Sequence, residues 1–95
     1  MPVMIETFAG DPSTRRYHIR AMLSTEDAVL YHPMPSTRKA LTAAGRTLGE
    51  RLRMVPGVED LIVSRYWVQL RKSQMFPWDE VEADIRDVIQ RTLEA

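Results

Sequence analysis

The sequence predicts an α+β fold in two layers. A mostly antiparallel sheet of about five strands carries two helices on one face, in the order β-β-β-α-β-β-α. Three observations predict it. Residues 16–23 alternate, with Tyr17, Ile19, Ala21 and Leu23 on one side and His18, Arg20 and Met22 on the other, the period of a half-buried strand. Leu41, Ala44, Leu48, Leu52 and Val55 recur at steps of three and four, which puts one apolar stripe on a helix. Most connections are short, which favours antiparallel pairing over the long crossovers that parallel strands need.

Taken in order, residues 3–8 are apolar and β-prone, and Gly10-Asp11-Pro12-Ser13 is turn chemistry. The alternating strand follows over 16–23. Ser24-Thr25-Glu26-Asp27 is polar and turn-like, and Ala28 to His32 reads as a third short strand ended by Pro33 and Pro35. The first helix comes next, with Ser36 or Thr37 able to cap it, because a hydroxyl there accepts an orphan backbone N–H. Arg38, Lys39, Arg46, Glu50 and Arg53 lie largely off its apolar stripe. Gly45 and Gly49 each weaken the helix by roughly 1 kcal/mol relative to Ala. They share a face, which suits close packing of helix on sheet or, less simply, a ligand. Pro56-Gly57 stops the helix.

A hairpin runs from Val58 to Ser73. Leu61, Ile62 and Val63 form its first arm, and Trp67, Val68 and Leu70 its second. Ser64-Arg65-Tyr66 lacks the Asn-Gly of a tight primed turn, so a looser or bulged connection is expected. The second helix starts near Pro77, a good first-turn residue. Asp79, Glu80 and Glu82 place negative charge at the positive end of its dipole. Val81, Ile85, Val88 and Ile89 make its buried stripe.

Composition narrows the function classes. At 95 residues the chain is one domain with a modest core. Thirteen basic residues balance 13 acidic ones, so charge argues for neither nucleic acid nor an anionic membrane. No long apolar run spans a bilayer, and the first ten residues lack the features of a secretory signal. There is no cysteine, hence no disulfide and no thiol chemistry, and the cytoplasm is the simplest location.

The chemistry is sparse. No Ser-His-Asp pattern, phosphate loop or HExxH appears, and no nucleophile has a matched base, so an enzyme is not expected. His18 and His32 fall on neighbouring predicted strands. They face each other if the pairing sums to 50 and point apart if it sums to 51, because a one-residue slip flips every side chain. With Met22 or Met34 nearby they could form a weak site, but two such ligands without carboxylate or thiolate are few. Packed or solvated histidines are therefore expected, with no metal. Six methionines are more simply core fillers. Tyr66, Trp67, Phe76 and Trp78 gather around the hairpin. Trp67 and Trp78 either pack together over the sheet edge or form a contact patch, as Trp and Tyr do at interfaces. Arg65, Arg71 and Lys72 are a solvated rim or meet an acidic partner. Asp79, Glu80, Glu82 and Asp84 read as an exposed helix start.

Residues 48–78 carry a resemblance. Leu48, Leu52 and Val55, then Gly57-Val58, Leu61-Ile62-Val63, Trp67-Val68-Gln69-Leu70-Arg71-Lys72 and Trp78 resemble the N-terminal domain of the NifU-like (Nfu) iron–sulfur scaffold proteins. That domain has a Leu-containing helix end, a Gly-Val, an apolar strand, a Phe-Ile-Thr-Val-Thr-Lys-like strand and a later Trp. Residues 11–17 are similar in pattern to the family's Asn-Pro-Asn-Ala-Leu-Lys-Phe-like segment but depart at most positions. Ser64 stands where the turn Gly is usual, and Thr47 where a Pro is.

The resemblance implies a stand-alone Nfu N-terminal-like domain over 1–95. It implies an accessory protein-interaction domain linked to iron–sulfur cluster assembly or delivery, with no cluster and no cofactor of its own. In the family a separate Cys-x-x-Cys domain holds the cluster, and a chain without thiols cannot supply such ligands. The expected contact surface is Asp11, Pro12, Arg16, Tyr17, Tyr66, Trp67, Arg71 and Trp78. Its expected partner is an iron–sulfur scaffold, carrier or client apoprotein, with no nucleic acid and no membrane, and the chain itself is a monomer or weak homodimer. The alternatives are a small homodimeric ligand-binding or regulatory domain, joined through a sheet edge, and a weak metal-binding domain.

Overall fold

The structure is a computed structural model that describes residues 4–27, 29–30 and 39–94. Among them, β1 (Met4–Phe8), β2 (Asp11–His18) and β3 (Val29–Leu30) precede α1 (Ala43–Arg53). Then come β4 (Val58–Val63), β5 (Trp67–Lys72) and α2 (Trp78–Glu94). The sheet order is β1-β2-β5-β4-β3, and every described pairing is antiparallel. Four strands of five to eight residues carry the sheet, and the two-residue β3 lines the outer edge of β4. The molecule is α+β, with two helices against an antiparallel sheet.

Alternation along the strands creates the core. Tyr17, Leu61, Val63, Val68 and Leu70 all turn to one face, where α1 adds Leu48 and Leu52 and α2 adds Val81, Ile85 and Ile89. Burying side chains of this size removes roughly 1.5–3 kcal/mol of unfavourable hydration each. The helices pack on each other, and α1 also on β4. No helix among the described residues is long and apolar enough to cross a membrane.

Several expectations are corrected. First, β2 is flanked by β1 and β5, while β3 pairs with β4, so the described strands form no β2–β3 hairpin. His18 sits opposite Met4 and Trp67. His32 and Met34 lie outside the described residues. The alternating segment leaves the sheet after His18 and wraps the β4–β5 turn. The Ile19 N–H donates to Tyr66 O at 2.7 Å and the Leu23 N–H to Arg65 O at 2.8 Å. Burial of Ile19 and Leu23, not strand pairing, sustains the alternation there.

Second, α1 starts later than the apolar stripe. Leu41 is buried in an isolated bridge to Ser24, and Thr42 is the N-cap, with ψ 171°. Its hydroxyl accepts from the Gly45 N–H at 3.1 Å and donates to Met22 O at 2.8 Å. Ser36 and Thr37 lie outside the described residues.

Third, the first turn is Ala9-Gly10, and Asp11-Pro12 already belongs to β2, after a register shift between Thr7 and Phe8. The β4–β5 turn is also tighter than expected, closed by the Ser64 N–H on Trp67 O at 2.8 Å. The carbonyls of its tip residues, Arg65 and Tyr66, are the acceptors taken by the 19–23 segment, so the turn is braced from outside. The sheet irregularity falls instead at the far end, between Val58 and Asp60.

Candidate functional site

The face of the sheet away from the helices is built by the same alternation. If Tyr17 and Val68 point inward, their chain neighbours must point outward. The open face therefore presents Met4, Glu6 and Phe8 from β1, Arg16 and His18 from β2, and Trp67, Gln69 and Arg71 from β5, with Asp60 and Ile62 from β4. The cross-strand register sets Arg16 beside Glu6 and Gln69, and His18 beside Trp67. Among the described residues, neither helix lies on this face.

Arg16 is its centre. The guanidinium lies 4.0 Å from the Trp67 ring centroid and 5.4 Å from that of Phe8. Such cation–π contacts contribute about 0.5–1 kcal/mol each at exposed sites. Its Nε and Nη2 both donate to Gln69 Oε1, at 3.2 and 2.8 Å. Glu6 Oε1 lies 3.7 Å from Arg16 Nη1 and 2.9 Å from His18 Nε2. Beside this cluster Arg71 pairs directly with Asp60. Met4 is 72% exposed, and Phe8, Ile62 and Trp67 are half-buried. The result is an aromatic and aliphatic surface with its polar groups already ordered.

A second cluster ties α2 to β2 on the other side. The Trp78 indole N–H donates to Pro12 O at 2.7 Å, and Arg15 lies 4.4 Å from the Trp78 centroid. Arg15 also pairs with Glu82 at 2.5 Å, and the Tyr17 hydroxyl donates to Glu82 at 3.4 Å. Burial, reinforced by the Glu82 charge, pushes the Tyr17 phenol well above its ordinary range. At the start of β2 the Thr14 hydroxyl and the Ser13 N–H both donate to Asp11, which holds its carboxyl below the ordinary carboxylate range.

The eight residues read from the sequence as a contact surface are thus divided. Arg16 and Trp67 meet on the open face, and Arg71 shares that face, paired with Asp60. Tyr66 is exposed at the β4–β5 turn, and Asp11 and Pro12 are exposed at the start of β2. Tyr17 is fully buried and belongs to the core. Trp78 lies on the helix side, so Trp67 and Trp78 do not pack together. Sequence reasoning missed Glu6, Phe8 and Gln69 as members of the cluster. Their signal is cross-strand register, which a single chain does not display. Among the described residues no group of three or more His, Cys, Asp or Glu could hold a metal ion.

This architecture has solved counterparts. The solution NMR structure of a NifU-like protein from Saccharomyces cerevisiae superposes with a TM-score of 0.71 at 16% identity, covering 98% of this chain and 78% of that one. The fold is NifU-like. The crystal structure of protein SAV1430 from Staphylococcus aureus matches with a TM-score of 0.57 at 14% identity, covering 93% of this chain and 98% of that one. At these identities the likeness is one of fold. No protein-family model and no curated protein matches the chain. The NifU-like fold nevertheless spans the β2 and β5 strands that build the Arg16 cluster, since the superposition covers nearly the whole chain.

Proposed function

We propose that this chain is a non-catalytic protein-interaction domain linked to iron–sulfur cluster assembly or delivery, and that it docks its partner on the open sheet face. The observation that carries this reading is the Arg16 guanidinium held between Trp67 and Phe8, on a face that neither helix covers among the described residues. Trp and Arg are the side chains most enriched where binding energy concentrates. Here both are held in place before any partner arrives, which lowers the ordering cost of association. The link to iron–sulfur chemistry rests on the NifU-like fold. With no cysteine, the chain contributes no thiolate ligand, and any cluster it serves sits on the partner.

The test is an anaerobic pull-down from the native lysate, with wild type and Trp67→Ala as parallel baits. Cysteine-bearing scaffolds, carriers or iron–sulfur apoproteins enriched on wild type and lost on Trp67→Ala support the reading. Equal enrichment on both baits removes the open face from it. Absence of such proteins from the wild-type bait removes the iron–sulfur link.

A further inference from the structure

We infer that Arg16 receives a carboxylate of the partner, an Asp or Glu side chain flanked by apolar residues; this rests on the open face being the docking surface. The basis is how the arginines are neutralised. Arg15 meets Glu82 at 2.5 Å, Arg71 meets Asp60 directly, and Arg65 and Arg91 meet Asp27 and Asp87 at 3.1 Å. Arg16 is different. Its ion pair with Glu6 spans 3.7 Å, beyond hydrogen-bond reach. Its two directed bonds go to the neutral amide oxygen of Gln69. Glu6 meanwhile spends its close contact on His18 at 2.9 Å. Arg86 and Glu82 are also distant, at 3.6 Å, but as neighbours one turn apart on a helix.

Arg16 is therefore a fixed positive charge with no carboxylate in direct contact among the described residues. Phe8 and Trp67 flank its plane, and the Nη1 edge remains for an acceptor. A carboxylate suits that edge because guanidinium donors match its oxygens in direction and spacing. Met4, Phe8 and Trp67 around it suit apolar neighbours of the incoming acid. The face does not suit a polyphosphate backbone. Glu6 and Asp60 stand close to its two arginines, so the face lacks the positive excess that a run of phosphates needs, whereas a single carboxylate needs only the Nη1 edge of Arg16.

NMR tests this on the whole isotope-labelled chain, through the Arg16 Nε–H and Trp67 indole signals. The probes are the capped peptides acetyl-Phe-Glu-Leu-amide and acetyl-Phe-Gln-Leu-amide, with inorganic phosphate as a third arm. The expected result is saturable shifts of both signals with the Glu peptide, and binding about tenfold weaker for the Gln peptide. Arg16→Lys, with its melting transition checked, should weaken the Glu peptide similarly. Glu6→Gln, which removes the competing internal acid, should tighten it. Equal binding of the two peptides overturns the carboxylate assignment while leaving the docking face intact. So do shifts as large with phosphate, or no saturable shift up to millimolar peptide. Loss of the docking face itself is read separately, from the Trp67→Ala bait.

Discussion

Tyr17 makes the core sensitive to alkali. Its ring is fully buried and its hydroxyl lies beside the Glu82 carboxylate, so the folded state strongly favours the neutral phenol. The folded pKa is raised above the unfolded one, near 10. The associated stability is whole below that unfolded value and is lost as pH climbs toward the folded one. Tyr17→Phe should cost about 1 kcal/mol at neutral pH through the lost hydrogen bond. It should also flatten the decline of stability between about pH 9 and 11. Urea titrations across that range measure both, and an unchanged alkaline slope would show that Tyr17 is not its source. Gly45 answers to geometry rather than charge. A Cβ there would sit 1.9 Å from the Leu23 carbonyl oxygen and 2.8 Å from its carbon. Backbone atoms cannot rotate away, so the helix-propensity gain of about 1 kcal/mol is overwhelmed. Gly45→Ala should destabilise by about 3 kcal/mol. A denaturation midpoint at or above wild type would refute that close approach.

At the scale of elements, what the sequence reveals depends on how local the determining force is. The stop of α1 has a local signal close by: the helix ends at Arg53 with Met54 as its C-cap, just before Pro56-Gly57, and Gly57 has φ 95°, a conformation that other residues adopt only with strain. The β4–β5 arms and the start of α2 are local too, with Pro77 O accepting the N–H groups of Glu80 and Val81. The start of α1 is not. Leu41 continues the helical spacing because it is buried, yet it is held by Ser24, far back in the chain. The cap is thus Thr42, identified by the two hydrogen bonds of its hydroxyl, one into the helix and one to Met22 O. Thr42→Ala should cost about 1–2 kcal/mol, and Thr42→Ser, which keeps both bonds, should recover most of it. Thermal melts of the pair decide the point. Equal loss in both variants would assign the effect to the Thr methyl group instead.

On the scale of the whole molecule, the sheet separates two tryptophans that adjoin the same hairpin. The parity of β2 is legible in the sequence, because Tyr17 falls on the apolar side and Arg16 on the other. The pairing of β2 with β5 is not legible, since it joins Arg16 to Gln69 across 53 residues. That pairing is what converts scattered aromatics and arginines into one open-face cluster, and what leaves Trp78 behind to fasten α2 to Pro12. Separate faces should give separable effects. Trp78→Ala removes the indole hydrogen bond and part of the core, and should destabilise by about 2–3 kcal/mol while a folded remnant still binds. Trp67→Ala should cost only about 1 kcal/mol of stability, yet weaken partner binding by at least about 30-fold, the loss expected of a central anchor. Because the two side chains share no partner among the described residues, their stability effects should add to within about 0.5 kcal/mol in the double variant. Denaturation of the two singles and the double, with binding measured on each folded protein, tests this directly. A coupling above about 1 kcal/mol, or binding lost in a folded Trp78→Ala protein, would mean that the two faces act as one unit.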